Sequence, residues 1–393
     1  MRTDYVRQAA EKEISEGRVA GSSVLALQNG EELYRGCFGM ADKENGIPVK
    51  RDTLFRMFSM TKPVTAAAAY ILIERGLLTR EEPVSKYLEG FRNQKVLTPE
   101  GLVPVRRECT IADLLNMTSG LVYPDGAFAA GREMGGLFYE VMQNNAAGKR
   151  IGTVEFVNRI ARMPLEFHPG EGWRYGTSAD ALGAVIEVVS GKRLGSFFRE
   201  EIFEPLGMKD TGFTITEEQR TRLAVNYDWD SVKNTLTPYT EAFLGLCDYE
   251  ETTAFESGGA GLVSTIDDYA RFAMMLANGG TLGNIRILGR KTVGYMTRGQ
   301  LTKEQLAAIP PEIRSSLIQT GYTYGNLMRI LEEPVAAGMT TTKGEFGWDG
   351  WTGNYFSVDP AEGYVFLYFI QRCNAGTTEA ARRLKTMCTA MIR

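Results

Sequence analysis

Histidine is nearly absent from this chain: one residue, His168, in 393. It lies between Phe167 and the Pro169-Gly170 turn, where a structural role is expected, so a Ser-His-Asp site has little to build on. No G-x-S-x-G stretch occurs, which speaks against a nucleophile elbow of the α/β-hydrolase type. Cysteine is sparse and scattered, at 37, 109, 247, 373 and 388. The odd count and the lack of any C-x-x-C suit reduced thiols, and neither a disulfide framework nor a zinc site is expected.

An excess of one charge is also missing. Lys and Arg number 44 against 48 Asp and Glu, a net charge of −4, which gives no electrostatic ground for nucleic acid or an anionic membrane as partner. The longest near-apolar run, PVTAAAAYILI, is too short to span a bilayer. The N-terminal MRTDYVRQAAEKEISEGRVAG reads as an amphipathic helix without the apolar core of a signal peptide. A cytoplasmic protein with no membrane partner is the expectation.

What is present is enough apolar sequence, 44% of residues, for a large buried core in a chain long enough for two to three domains. AGSSVLALQN (20–29) and ELYRGCFGMA read as two strands joined by a short turn, an antiparallel hairpin. From Ser59 to about Gly76 the spacing of Val64, Ala67, Ala68, Ile71 and Leu72 predicts a helix, with Pro63 confined to its first turn. Residues 80–320 carry helical signals with Thr or Ser caps and closing glycines: TIADLLNM, TVEFVNRIARM, SADALGAVIEVVSG, RLGSFFREEIF and TIDDYARFAMMLANGG. Strands return in YTYGNLMRIL, GNYFSVDP and GYVFLYFIQR, and a helix follows from about 376. Strands, helices, strands: the expected class is α/β, an antiparallel sheet built from both chain ends and flanked by helices. Residues 1–79 and 321–393 would form the α/β domain, 80–320 a mostly helical one, with the active site between them.

Within FSMTKP (58–63), Ser59 is the only serine followed three places later by lysine. On a helix these positions share a face, so Lys62 reaches the Ser59 hydroxyl, and a helix N-terminus favours an oxyanion there. The alternative is a helix-start serine with a solvated lysine. In WRYGTSAD (173–180), Tyr175 follows a Pro-Gly turn and precedes a helix. Beside a lysine cation its phenolate can serve as the base for Ser59; the alternative is a packed ring.

Together these stretches resemble the serine β-lactamase and penicillin-recognising superfamily, in its class C-like branch with the family VIII carboxylesterases. FSMTKPVTAAAAYILIERGLL matches the SxxK segment, and TIADLLNMTSGLVY is similar to T-x-x-x-L-L-x-H-T-S-G-L. PLEFHPGEGWRYGTSADALGAVIEVVSG matches the tyrosine-motif segment, IFEPLGMKDTGF the P-L-G-M-x-D-T element, and SGGAGLVSTIDDYARFAMMLANGG the glycine-rich turn and helix. The resemblance implies Ser59 as nucleophile, Lys62 as its partner, Tyr175 as general base, and the backbone N–H groups of Ser59 and Trp351 as oxyanion donors. No cofactor is implied.

Two motifs depart from the family pattern. Y-x-N becomes Tyr175-Gly176-Thr177, so a hydroxyl stands where an amide would bind substrate. The strand-edge K-T-G becomes Trp348-Asp349-Gly350, close to the W-G-G of the esterase branch. Loss of the lysine removes a cation suited to a substrate carboxylate, and Asp349 would repel one if it faces the pocket; strand alternation allows it to face away. Tyr123 and Trp348 are candidates for the pocket wall or for packing. The expected function is a carboxylesterase-like serine hydrolase forming an acyl-enzyme with small neutral esters or amides. The alternatives are a β-lactamase or D-amino-acid peptidase or amidase, an acyltransferase of the same fold, and a non-catalytic binding protein that kept the fold.

Overall fold

In Gly21–Gln28 (β1), Val24 and Ala26 point to one side and Leu25 and Leu27 to the other, and no residue is charged. A strand apolar on both faces needs cover on both. The computed structural model, which describes residues 2–126, 128–241, 244, 246, 249 and 253–393, supplies it. The strand is interior to an eight-stranded sheet. The others are β2 (Glu31–Asp42), β3 (Ile47–Pro48), β4 (Tyr322–Gly325), β5 (Met328–Leu331), β6 (Phe346–Asp349), β7 (Tyr355–Asp359) and β8 (Tyr364–Phe369). Their order is β4-β5-β6-β7-β8-β1-β2-β3 with antiparallel neighbours. The β1–β8 pairing, Ser23 opposite Phe369 through Gln28 opposite Tyr364, joins the two chain ends in one sheet.

Six helices bear on the site and its support: α1 (Arg2–Ser15), α2 (Thr61–Glu74), α3 (Ile111–Asn116), α4 (Ser178–Ser190), α5 (Ile266–Ala277) and α6 (Glu379–Thr389). On one face of the sheet α1 and α6 bury Val6, Ala10 and Leu384 against Val24, Ala26, Phe366 and Tyr368. On the other, α2 and α5 cover Leu25, Leu27, Phe356, Leu367 and Phe369. Every residue of α2 from Thr61 to Leu72 is buried, because the helix packs on α4 inside the larger hydrophobic core. It is therefore apolar all round rather than striped. Its regular α-turns begin two residues after Ser59, which sits in a 3₁₀ turn, Phe58–Met60.

YTYGNLMRIL, expected as one strand, is a hairpin: Asn326 and Leu327 have φ of 50° and 63° and turn β4 back onto β5. Two positive-φ residues form the tight turn that suits strand twist. Among the described residues no helix is long and apolar enough to cross a membrane. Cys37 is exposed and Cys109, Cys373 and Cys388 are buried, all as free thiols; Cys247 lies outside the described residues.

Candidate active site

Ser59 is delivered by a braced turn. Phe58, just before it, has φ of +44°, a left-handed conformation that costs a non-glycine residue roughly 1–2 kcal/mol. Surrounding bonds hold it. The Met57 N–H donates to the Leu262 carbonyl at 2.8 Å, Asn354 Nδ2 to the Arg56 carbonyl at 2.8 Å, and the Tyr269 hydroxyl to the Met60 carbonyl at 2.7 Å. A Cβ on Gly350 would lie 2.6 Å from the Met57 carbonyl. Only glycine lets the end of β6 approach the serine turn so closely. Trp351 follows, its indole edge-to-face on the Phe58 ring with centroids 5.1 Å apart and its Nε1 donating to Asn374 Oδ1 at 2.8 Å.

Lys62, the second residue of α2, has no solvent exposure. Its Nζ donates to Ser59 Oγ at 3.1 Å, the Tyr123 hydroxyl at 3.0 Å and the Gly259 carbonyl at 2.8 Å. All three partners are neutral, so burial disfavours the cation and pulls the pKa down to about 7, the charges of Asp180 and Asp349 opposing this. Burial thus favours a neutral amine, with a lone pair beside the serine. The solvated-lysine alternative does not describe it.

Tyr175 is half-buried, and its hydroxyl is bonded to Ser59 and accepts from Trp348 Nε1 at 3.1 Å. Lys62 Nζ lies 4.5 Å from its ring centroid, and the Tyr123 ring is 5.7 Å away. Burial pushes the Tyr175 phenol up; the bonds from Ser59 and Trp348 oppose this, while Asp349 and Asp180 add to it. The phenolate expected from the sequence is thus disfavoured, chiefly by burial of the phenol itself.

Three further residues complete the geometry. Asp180, on α4 and 3% exposed, accepts from the Ser257 hydroxyl at 2.5 Å and the Gly259 N–H at 3.1 Å, which aims the Gly259 carbonyl at Lys62. The turn 257–261 squeezes between α2 and α4: Thr65 donates to the Gly258 carbonyl at 2.6 Å, and a Cβ on Gly258 would lie 2.5 Å from the Ala179 carbonyl. Gly258→Ala is expected to destabilise the protein by roughly 1–3 kcal/mol in urea unfolding and to lower turnover as the Gly259 carbonyl leaves Lys62. Unchanged values in both would show that the turn has room. The sequence quoted this glycine turn as a family element but carried no sign that its carbonyl holds the lysine. For Asp180 the only signal was its place five residues after Tyr175, in the first turn of α4.

The substrate-binding candidates fare unevenly. Tyr123 is half-buried at the lysine. Trp348 is 1% exposed, packed between Tyr175 and Tyr324 with ring centroids 5.5 and 5.2 Å away, and its indole holds the Tyr175 hydroxyl. Thr177 has no exposure, and its hydroxyl donates to the Val122 carbonyl at 3.4 Å: the loop folds it inward onto the segment before Tyr123. Asp349 does not confront a substrate carboxylate as a bare charge. Arg329 Nη2 donates to its Oδ2 at 2.9 Å, and the Thr377 hydroxyl donates to the same oxygen. His168 accepts at Nδ1 from the Arg106 N–H at 3.3 Å, a structural bond.

Esterase EstB of Burkholderia gladioli is 32% identical over 371 residues, covering 90% of this chain and 86% of that protein. The structure of EstCE1, a hydrolase with promiscuous acyltransferase activity, superposes with a TM-score of 0.80 at 25% identity, over 100% of this chain and 98% of that one. Simvastatin synthase LovD from Aspergillus terreus superposes with a TM-score of 0.81 at 24% identity, over 100% and 98% of the chains, a likeness of fold. The chain thus shares sequence with an esterase and its fold with hydrolase and acyltransferase structures. The model of the Beta-lactamase family matches residues 5–387, and to that family of serine hydrolases the chain belongs.

Proposed function

We propose that the protein is a carboxylesterase-like serine hydrolase that works through an acyl-enzyme on small neutral esters. The observation that carries this is the 3.1 Å contact between Ser59 Oγ and the fully buried Nζ of Lys62. The neutral Lys62 amine takes the Ser59 proton as Oγ attacks the ester carbonyl, giving an ammonium and a tetrahedral oxyanion. The oxyanion rests on the backbone N–H groups of Ser59 and Trp351. Tyr175, held as a phenol, gives its proton to the departing alkoxide as the C–O bond breaks and is reprotonated by the Lys62 ammonium. Water then attacks the acyl-enzyme, Lys62 again taking a proton, and Ser59 leaves as the hydroxyl. On this reading the site lies between an α/β part, 1–79 and 321–393, and a mostly helical part, 80–320.

Neutral substrates are favoured because the strand edging the site carries Trp348-Asp349-Gly350, with no lysine to hold a carboxylate. Asp349 is paired with Arg329, yet its charge still acts on Tyr175 and Lys62, so preference over a cephalosporin rests first on the missing cation and second on this residual field. Transfer to an alcohol in place of water is a second reading, supported by the likeness to EstCE1, and product analysis with an added alcohol separates the two.

The test is the pH dependence of kcat/KM on a neutral ester. The active form has Lys62 deprotonated, so the rate is expected to rise tenfold per pH unit below the lysine pKa and level off above about 7. A rate that starts to rise only above pH 9 would point to Tyr175 ionisation and overturn the lysine assignment.

A further inference from the structure

Asp349, which the sequence offered as a pocket residue, has no step in the proposed chemistry. Its carboxylate is nonetheless the centre of a buried clamp. Arg329, on β5, pairs in register with Gly347 on β6, two positions before Asp349 and therefore on the same face of the sheet. Its guanidinium is 3% exposed. Nη2 donates both to Asp349 Oδ2 at 2.9 Å and to Thr377 Oγ1 at 2.8 Å; Nη1 donates to the Leu317 carbonyl at 2.9 Å. The planar fork thus ties together β6, the loop before α6 and the helical segment before β4, which a lysine's point charge cannot do. The guanidinium carbon also lies 5.1 Å from the Trp348 ring centroid, close enough for a cation–π contact.

Both ends of this clamp reach the reacting groups. Trp348 donates to the Tyr175 hydroxyl at 3.1 Å, so its backing sets where that phenol stands. Asp349 immediately precedes Gly350, whose backbone abuts the Met57 carbonyl, and then Trp351, the proposed oxyanion donor. We propose that the Arg329–Asp349 pair is a positioning device for acyl transfer, holding Trp348 on Tyr175 and the Gly350–Trp351 peptide beside Ser59. The inference rests on the acyl-enzyme reading above. A positioning role suits a largely buried charge pair, since errors of about 1 Å in the reacting groups it holds cost on the order of 100-fold in rate.

The experiment compares wild type, Asp349→Asn, Arg329→Lys and the charge-free double variant Arg329→Met/Asp349→Asn. Each is assayed for kcat and KM on p-nitrophenyl butyrate and on an alkyl butyrate, for thermal stability, and for Ser59 labelling by a fluorophosphonate. Single variants are expected to lose roughly 10- to 100-fold in kcat with KM within about twofold. The double variant, with no unpaired buried charge, is expected to regain stability but not kcat. Recovery of kcat along with stability would make the pair merely structural and overturn the proposal, as would single variants that lose stability alone. If the single variants are too unstable to assay, the double variant decides. Failure of wild-type Ser59 to label or turn over either ester would instead overturn the acyl-enzyme reading, a separate outcome.

Discussion

Ser59→Ala is expected to abolish covalent labelling by a fluorophosphonate and to lower ester turnover by about 10⁴-fold or more, while leaving the unfolding midpoint near that of wild type. The rate loss follows from chemistry: without Oγ no acyl-enzyme forms, and what remains is water attacking a substrate held by the oxyanion donors. The small stability effect follows from structure. Ser59 Oγ is one of three acceptors for Lys62, and the Tyr123 hydroxyl and Gly259 carbonyl remain. Removing the serine therefore leaves Lys62 with two of its three acceptors, and burial already disfavours its charged form. Intact-protein mass before and after exposure to the probe reads the first half, and a thermal melt the second. An adduct persisting in Ser59→Ala would move the nucleophile elsewhere. A collapse of stability would mean that the serine turn is held by its side chain and not by the Arg56, Met57 and Met60 backbone bonds. Lys62→Met tests the partner on the same footing, because it removes the proton acceptor while keeping a chain of similar length at this buried position.

The strands and helices that frame this site were legible in the sequence because they obey local rules. The β1–β2 hairpin turns through Asn29 and Gly30, both at positive φ, the strongest short hairpin signal there is. The cap before α3 is a full capping box, Thr110 with Asp113. Ala129–Ala146, 18 residues long, was not anticipated, since Gly131, Gly135 and Gly136 weaken its helical pattern and only packing sustains it. The site divides in the same way. Ser59 and Lys62 are local, three residues apart on one turn. The Gly259 carbonyl and Asp180 come from far along the chain, and no pattern near Lys62 foretells them. Asp349 shows the limit most clearly: the strand position was right, but its partner Arg329 sits on another strand, and only the register decides that the carboxylate is paired.

Tyr175→Phe is expected to lower turnover of an alkyl ester by roughly 10²–10⁴-fold, and that of p-nitrophenyl butyrate by much less. The contrast is the point. An alkoxide leaving group needs a proton as the C–O bond breaks, whereas p-nitrophenolate departs without one. If Tyr175 is a phenol that donates to the leaving oxygen, its loss matters only where a donor is required. If it is a phenolate that takes the Ser59 proton, its loss slows attack on both esters alike. Burial pushes the Tyr175 phenol up, and the Trp348 and Ser59 hydrogen bonds do not reverse this, while the adjacent lysine is brought down to about 7. Two groups in contact, one reluctant to lose a proton and one ready to accept it, assign acid and base between them. Equal losses on the two esters would return the base role to Tyr175 and leave Lys62 as its electrostatic support. Unequal losses, with the rise of kcat/KM near pH 7 retained in the variant, would fix Lys62 as the base, because the group responsible for that limb would still be present when the phenol is gone.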